Sequence, residues 1–372
     1  MRLDNILDKK LIRNIDLGIV FFTIFLVAFG IVAIASATHI AKIGTSSEIK
    51  VQIIAFILGI IGVTIILMID YNTFGDWYKI IYVVNIILLI LVLILGRNIN
   101  GATSWIRIGP LNFQPSEIVK LGFILTFAKY LERKKDQLNR VIDVVPAVVH
   151  LGIIVGLLLL QPDFGTALVF IFISVFMLYA AGLNYRMIIG AFTAFIISMP
   201  IIWFYVLKSY QKDRILTFLN PELDRMGAGY QVLQSQTAIG SGRFVGKGLF
   251  QGTQNNLGFI PFQKTDFIFS VIGEELGFIG CVAIILLFAW LLLRCIHIAK
   301  VSKDDYGMLI CVGITAMFLF HILENIGMTI GLMPVTGIPL PFISYGGSSL
   351  LTNMAAVGLV LNVGMRRQVI RF

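Results

Sequence analysis

The sequence predicts an all-α polytopic membrane protein: ten transmembrane helices in one domain spanning 1–372, with a large extracytoplasmic loop at 208–266 between the seventh and eighth. Three observations predict this. Of 372 residues, 58% are hydrophobic and 13% charged, with a mean hydropathy of +0.92, which excludes a water-soluble enzyme of this length. The apolar residues fall in runs that match a bilayer core about 30 Å thick. Between the runs, Gly, Pro and polar residues concentrate in four segments, 97–116, 161–164, 208–266 and 331–348, which hold eight of the ten prolines.

The first run, 16–37, is too long for a removable signal peptide and lacks a cleavage site. Runs at 51–69 and 77–95 follow, separated by a short polar link. The fourth, 117–131, is the weakest on hydropathy because it carries Glu117, Lys120 and Lys129. The fifth and sixth, 144–160 and 165–182, are joined through Gln161-Pro162-Asp163-Phe164, where Pro and Asp suit a turn and not a helix interior. The seventh, 187–207, leads into the long loop, and 267–294, 308–330 and 349–364 complete the set.

Ten spans put both termini on one side, and Lys/Arg content says which. Of the 29 basic residues, 17 lie in the segments assigned inside and four (Lys42, Lys50, Arg97, Arg107) in the short outside loops. The seven in 208–266 are discounted because long loops translocate regardless of charge. Both termini are therefore expected in the cytoplasm, and the net charge of +9 reports topology; no nucleic-acid partner is expected. Cys281, Cys295 and Cys311 lie in or beside apolar runs, and the four histidines are scattered, so neither a disulfide framework nor a metal site is implied. With short basic loops inside, any chemistry belongs to the outer face.

Asp266 stands where the long loop meets the eighth span. A carboxylate there, partly desolvated, suits a general base, although position alone favours a helix N-cap. The loop is rich in glycine, which permits close backbone approach to a bulky or anionic ligand, with Arg243 and Lys247 available for phosphate; a flexible connector is the alternative. Glu117 and Lys120, at i and i+3, share one helix face and suit an internal ion pair that shapes a cavity. Asp163 is either a second carboxylate of the site or a turn residue. Glu274 and Glu275, about 12–13 Å along the helix from Asp266, are placed deep in an apolar span, where each needs a partner or a polar cavity. Glu324 poses the same question. Trp105 and Arg107, by default a membrane anchor and a solvated cation, would also suit a sugar face and a phosphate; Gln114 and Ser116 follow. Pro339 to Ser349, including Ser344, reads as a re-entrant or cavity-lining segment.

Taken together, these segments resemble the SEDS family (shape, elongation, division and sporulation) over nearly the whole chain. The motifs are Gly101-Ala102 with Trp105-Ile106, Gln114-Pro115-Ser116-Glu117 with Lys120-Leu121, Gln161 to Gly165, Gly229-Tyr230-Gln231, Gly252-Thr253-Gln254, Thr265 to Phe269, Gly273 to Gly277, and Ser344-Tyr345-Gly346-Gly347. The resemblance implies a peptidoglycan glycosyltransferase of the cytoplasmic (inner) membrane, polymerising lipid II on its outer face with a class B penicillin-binding protein as transpeptidase partner. It places the essential aspartate at Asp266 and the loop tryptophan at Trp105. The short tails look more like the RodA branch, which implies a role in elongation and cell shape. Departures are Ser104 where an Arg is frequent, Phe262 for an acid, Lys264 for a His and Arg243 for a Gly.

Lipid II carries an α-linked diphosphate and the polymer is β-1,4 linked, so a single inverting displacement suffices. Asp266 is the expected base, with Arg243, Lys247 and Lys264 near the diphosphate and Glu117, Lys120 and Glu275 holding the cavity. No cofactor is evident, though a divalent cation, Mg or Mn, is compatible with this chemistry. A transporter of the lipid-linked sugar is the rival class, for which the sequence offers no internal repeat. A non-catalytic scaffold for cell-wall synthases leaves the outer polar motifs without a purpose.

Overall fold

The computed structural model describes residues 11, 13–38, 46–99, 102–108, 111–135, 138, 140–206, 209–224 and 226–367; Arg2, Lys9, Lys10, Lys42, Gly101, Lys208, Arg225 and Arg371 lie outside them. Helix α1 (Leu17–Ala37) is capped by Asp16, which accepts the Ile19 N–H at 3.2 Å, and α2 (Ser47–Met68) by Ser46, which accepts that of Ile49 at 3.1 Å. A short α3 (Tyr71–Asp76) leads to α4 (Tyr78–Leu95). After a strand region come α5 (Pro115–Lys134), α6 (Val141–Leu160), α7 (Phe164–Ala180) and α8 (Tyr185–Ile201). The long loop holds α9 (Ser209–Leu219), α10 (Ala228–Gly242) and α11 (Thr253–Asn256). The chain closes with α12 (Ile268–Lys300), α13 (Asp305–Thr329) and α14 (Gly347–Met365).

Among the described residues, every apolar run read from the sequence is helical over most of its length, and residue 207 of the seventh lies outside them. Among the described residues, seven helices (α1, α2, α4, α6, α12, α13 and α14) are long and apolar enough to cross a membrane, and α7 and α8 are shorter apolar helices. Helix α5 is too charged to join them, yet 14 of its 20 residues are buried, because α4, α7 and α13 surround it. A helix kept from lipid by its neighbours tolerates polar side chains that a peripheral one does not. Helices α13 and α14 are also largely buried, whereas α2 and α4 expose rows of Ile, Leu and Val, and α8 buries none of its described residues. An apolar exterior around a better-buried centre is the pattern of a bundle surrounded by lipid.

Two corrections concern the segments between the apolar helices. The all-α expectation fails at Arg97–Ile99 (β1), Ala102–Ile108 (β2) and Leu111–Phe113 (β3), a small antiparallel meander in the order β1-β2-β3. The loop is not the flexible connector of the alternative reading, since helices occupy much of it.

The two ends of the bundle carry different contacts. At one end Asp16 pairs with Arg294, Tyr71 donates to Asp304 at 2.6 Å, Lys135 meets Asp305 at 2.6 Å, and Arg366 meets Asp70 at 3.2 Å. These are the segments that the basic residues assign to one side, so α1 begins and α14 finishes at the same end. The turn at 161–163, the loop and the 331–346 segment gather at the other.

Candidate functional site

Asp266 lies two residues before α12, and the N-cap position belongs to Phe267, which makes no side-chain cap bond. The capping role that position alone favoured is therefore not what this carboxylate does. It is half-buried, and desolvation pushes its pKa up to about 6. The four residues 263–266 are tied to four separate parts of the chain. Gln263 Nε2 donates to Ala37 O at the end of α1, at 2.7 Å. Lys264 Nζ pairs with Glu48 at the start of α2, at 2.7 Å, and lies over the Tyr345 ring. Thr265 O accepts the Ser344 hydroxyl at 2.6 Å, and Asp266 O accepts Asn325 Nδ2 of α13 at 2.9 Å.

The 331–346 segment is held as tightly. Ser344 Oγ also accepts the Leu340 N–H, and Gln52 of α2 donates to Ser344 O and accepts from Gly346 N–H, both at 3.2 Å. Ser344 is buried, so its hydroxyl joins this segment to the turn that carries Asp266. Thr336 donates to Glu324 at 2.8 Å, which gives that acid its partner. Gly337, at φ +76°, faces Asp266: a Cβ there would stand 3.6 Å from Asp266 Oδ2. On the neighbouring helix, Asp163 caps α7 by accepting the Thr166 N–H at 3.2 Å, and Gln114 reaches its other oxygen at 3.4 Å.

Glu274 and Glu275 do not lie deep in a continuous span. Helix α12 breaks at Gly277 (φ 64°, ψ −162°), two residues past Glu275, and the loop fills the break. Lys247 and Gly248 donate their N–H groups to the carbonyls of Glu274 and Glu275, while Phe278 and Ile279 donate to the carbonyls of Arg243 and Phe244. The backbone groups orphaned by the break are thus satisfied by the loop. The Glu274 side chain accepts from Gln254 N–H (2.8 Å), Asn255 N–H (3.0 Å) and Lys247 Nζ (2.7 Å), which fixes the start of α11. Lys247 is therefore paired, whereas Arg243 is exposed beside the break. Glu275 accepts from Ser36 and Asn255.

Lys120 Nζ lies 2.7 Å from Glu117 Oε1, the expected ion pair, and 3.1 Å from His321 Nε2 of α13, with all three side chains buried. With Lys120 as donor, His321 accepts through Nε2 and carries its ring proton on Nδ1. Ser116 is buried at the start of α5. Trp105 is half-buried in β2 opposite Arg97, and Arg107 lies opposite Asn112. Asp266, Lys264 and Ser344 are thus brought together, as are Gln114 with Asp163 and Lys247 with Glu274. The sequence reading missed His321, Asn325, Glu48 and Gln52. Glu48 and Gln52 gave no pattern, but His321 and Asn325 sit in an apolar run, where a polar residue signals a buried bond. Among the described residues, no group of three or more His, Cys, Asp or Glu is placed to hold a metal ion.

Fold and site together define a polytopic helical membrane protein with a tethered carboxylate at the loop end of a broken helix. A family model described as "Cell cycle protein", covering FtsW, RodA and SpoVE, matches residues 17–369, and the chain belongs to this family, also called SEDS. It is 39% identical over 356 residues to the probable peptidoglycan glycosyltransferase FtsW of Trichlorobacter lovleyi, covering 94% of this chain and 92% of that protein. It is 39% identical to stage V sporulation protein E of Bacillus subtilis (94% and 96% covered) and 35% identical to the peptidoglycan glycosyltransferase MrdB of Escherichia coli K12 (84% of each). Among solved structures, it matches a chain of a peptidoglycan synthase complex that coordinates polymerization and crosslinking, with TM-score 0.81, 34% identity and 94% and 97% coverage. It also matches Thermus thermophilus RodA, with TM-score 0.71, 33% identity and 95% and 97% coverage.

Proposed function

We propose that this protein is a peptidoglycan glycosyltransferase that polymerises lipid II into β-1,4 glycan strands on the outer face of the cytoplasmic membrane. The observation that carries the reading is Asp266: a half-buried carboxylate with a pKa near 6, held by its own backbone and not consumed in a cap. A base of that strength is mostly ionised at neutral pH yet still takes a proton readily. It removes the proton of the acceptor GlcNAc 4-hydroxyl as that oxygen attacks the anomeric carbon of the donor, and the lipid diphosphate leaves from the opposite face. Among the described residues, Arg243, exposed at the break, is the loop cation nearest in sequence to Asp266 that no ion pair holds. Lys247 and Lys264 act by holding the loop and the turn that carries Asp266. Trp105 and Arg107 on the strand meander are candidates for sugar and phosphate contacts.

In this reading ten helices cross the bilayer, with α5 counted as the fourth, both termini are cytoplasmic, and 208–266 lies outside. Its partner is a class B penicillin-binding protein, and its role is elongation and cell shape. A divalent cation, Mg or Mn, would enter with the diphosphate.

The test supplies labelled lipid II to the purified protein with its transpeptidase partner and follows glycan chain length on a gel. Wild type should give polymer and Asp266→Ala none at equal expression. Full activity in Asp266→Ala would remove the base assignment, and no polymer from a folded, partnered wild type would remove the activity.

A further inference from the structure

We propose that Glu324 and Asn325, consecutive residues of α13, are positioning residues that hold Gly337 as the wall opposite the Asp266 carboxylate, so that the two enclose the slot for the acceptor hydroxyl. The proposal rests on the glycosyltransferase reading and adds residues to it. Gly337 is flanked by Thr336 and Ile338, and α13 grips both. Thr336 Oγ1 donates to Glu324 Oε1 at 2.8 Å, and Asn325 Nδ2 donates to Ile338 O at 2.8 Å. The same Asn325 amide donates its second hydrogen to Asp266 O at 2.9 Å. One side chain therefore sets the separation between the turn bearing the base and the segment facing it.

The geometry favours precision over adaptability. Glu324 and Asn325 are buried on a helix near the centre of the bundle, and an amide that donates to two carbonyls has no remaining freedom to swing. From the other side Gly165, at the start of α7, backs Thr336: a Cβ on Gly165 would meet the Thr336 Cβ at 3.1 Å. Gly337 contributes no side chain of its own, and the nearest atom to a Cβ built there is Asp266 Oδ2. A hydroxyl admitted to that gap meets the carboxylate on one side and bare backbone on the other. A displacement of about 1 Å between base and hydroxyl is enough to lower a rate by about 100-fold, so a clamp on this spacing acts on turnover more than on substrate binding.

The experiment measures lipid II polymerisation from pH 5 to 9 by the partnered protein, for wild type, Thr336→Val, Glu324→Ala, Glu324→Gln and Asn325→Ala, with thermal melting of each. Asn325→Ala and Glu324→Ala should lose about 10-fold or more in kcat with KM little changed. In Asn325→Ala the acid limb should move below its wild-type position near pH 6 as water reaches the carboxylate. Glu324→Gln, whose amide oxygen still accepts from Thr336, should recover most of the loss. Thr336→Val, a near-isosteric change outside α13 that leaves the helix untouched, should match Glu324→Ala, and the double variant should be no worse than either. The proposal is overturned if Glu324→Gln is as damaging as Glu324→Ala, or if Thr336→Val polymerises at the wild-type rate. An inactive wild type would instead overturn the glycosyltransferase reading, so the two failures are distinguishable.

Discussion

Asp266 shows how a single side chain links stability to chemistry. Its carboxyl is held near pKa 6 by desolvation, against an ordinary value of 3.8. The folded protein therefore binds this proton more tightly than the unfolded chain, so the group's stabilising contribution is present below about pH 4 and is lost as the pH rises through about 6. At about 1.4 kcal/mol per pKa unit, the ionised form costs on the order of 2–3 kcal/mol at pH 8. Asp266→Asn should melt higher than wild type at pH 8 and show little difference near pH 4, read by thermal unfolding in detergent. Equal melting at both pH values would mean that the carboxylate is not desolvated. The sequence made Asp266 legible as an acid at a helix mouth, but not its tethering. Ala37, Glu48, Asn325 and Ser344 come from four distant stretches, and no local pattern reports their convergence.

At the scale of elements, the informative feature is the break in α12. An apolar run with three glycines, Gly273, Gly277 and Gly280, still reads as one continuous span, and the bonds that replace the missing helical ones at Gly277 come from 243–248, about thirty residues upstream. The sequence did mark the loop as glycine-rich, and two of those glycines now have different requirements. At Gly246, φ is +83° and a Cβ would fall 2.1 Å from Glu275 O, a backbone atom that cannot yield. At Gly248, φ is +101° but the nearest atoms belong to the flexible Gln251 side chain at 3.3 Å. Gly246→Ala should therefore destabilise the protein by on the order of 2–4 kcal/mol, and Gly248→Ala by about 1 kcal/mol, compared by thermal unfolding. Equal losses would show that the close approach at the break is not what requires Gly246.

For the whole molecule, basic residues and turn residues were sufficient to sort segments between two ends, because charge asymmetry is a property of the sequence alone. Which helices are central was not legible. The apolar side chains of α13 face protein and those of α2 face outward with similar composition, since lipid and protein interior are equally apolar. Helix α5 was the weakest span on hydropathy for the same reason that it is well buried: its polar pairs require protein around them. The orientation is open to a direct test, because Cys281, Cys295 and Cys311 are all buried. A membrane-impermeant maleimide should label Phe259→Cys in intact cells and Lys303→Cys only after permeabilisation. Labelling of Lys303→Cys in intact cells would reverse the topology.

The break in α12 also has a consequence for how this end of the protein opens. Each of the four backbone bonds that fill it joins the loop to the helix, so neither partner can release its amides alone. In hydrogen–deuterium exchange the amides of Lys247, Gly248, Phe278 and Ile279 should behave as one cooperative unit with a single opening free energy, although thirty residues separate the two pairs. Loop and helix would then share one local unfolding event, and the turn carrying Asp266, which connects them, would be released whenever it occurs.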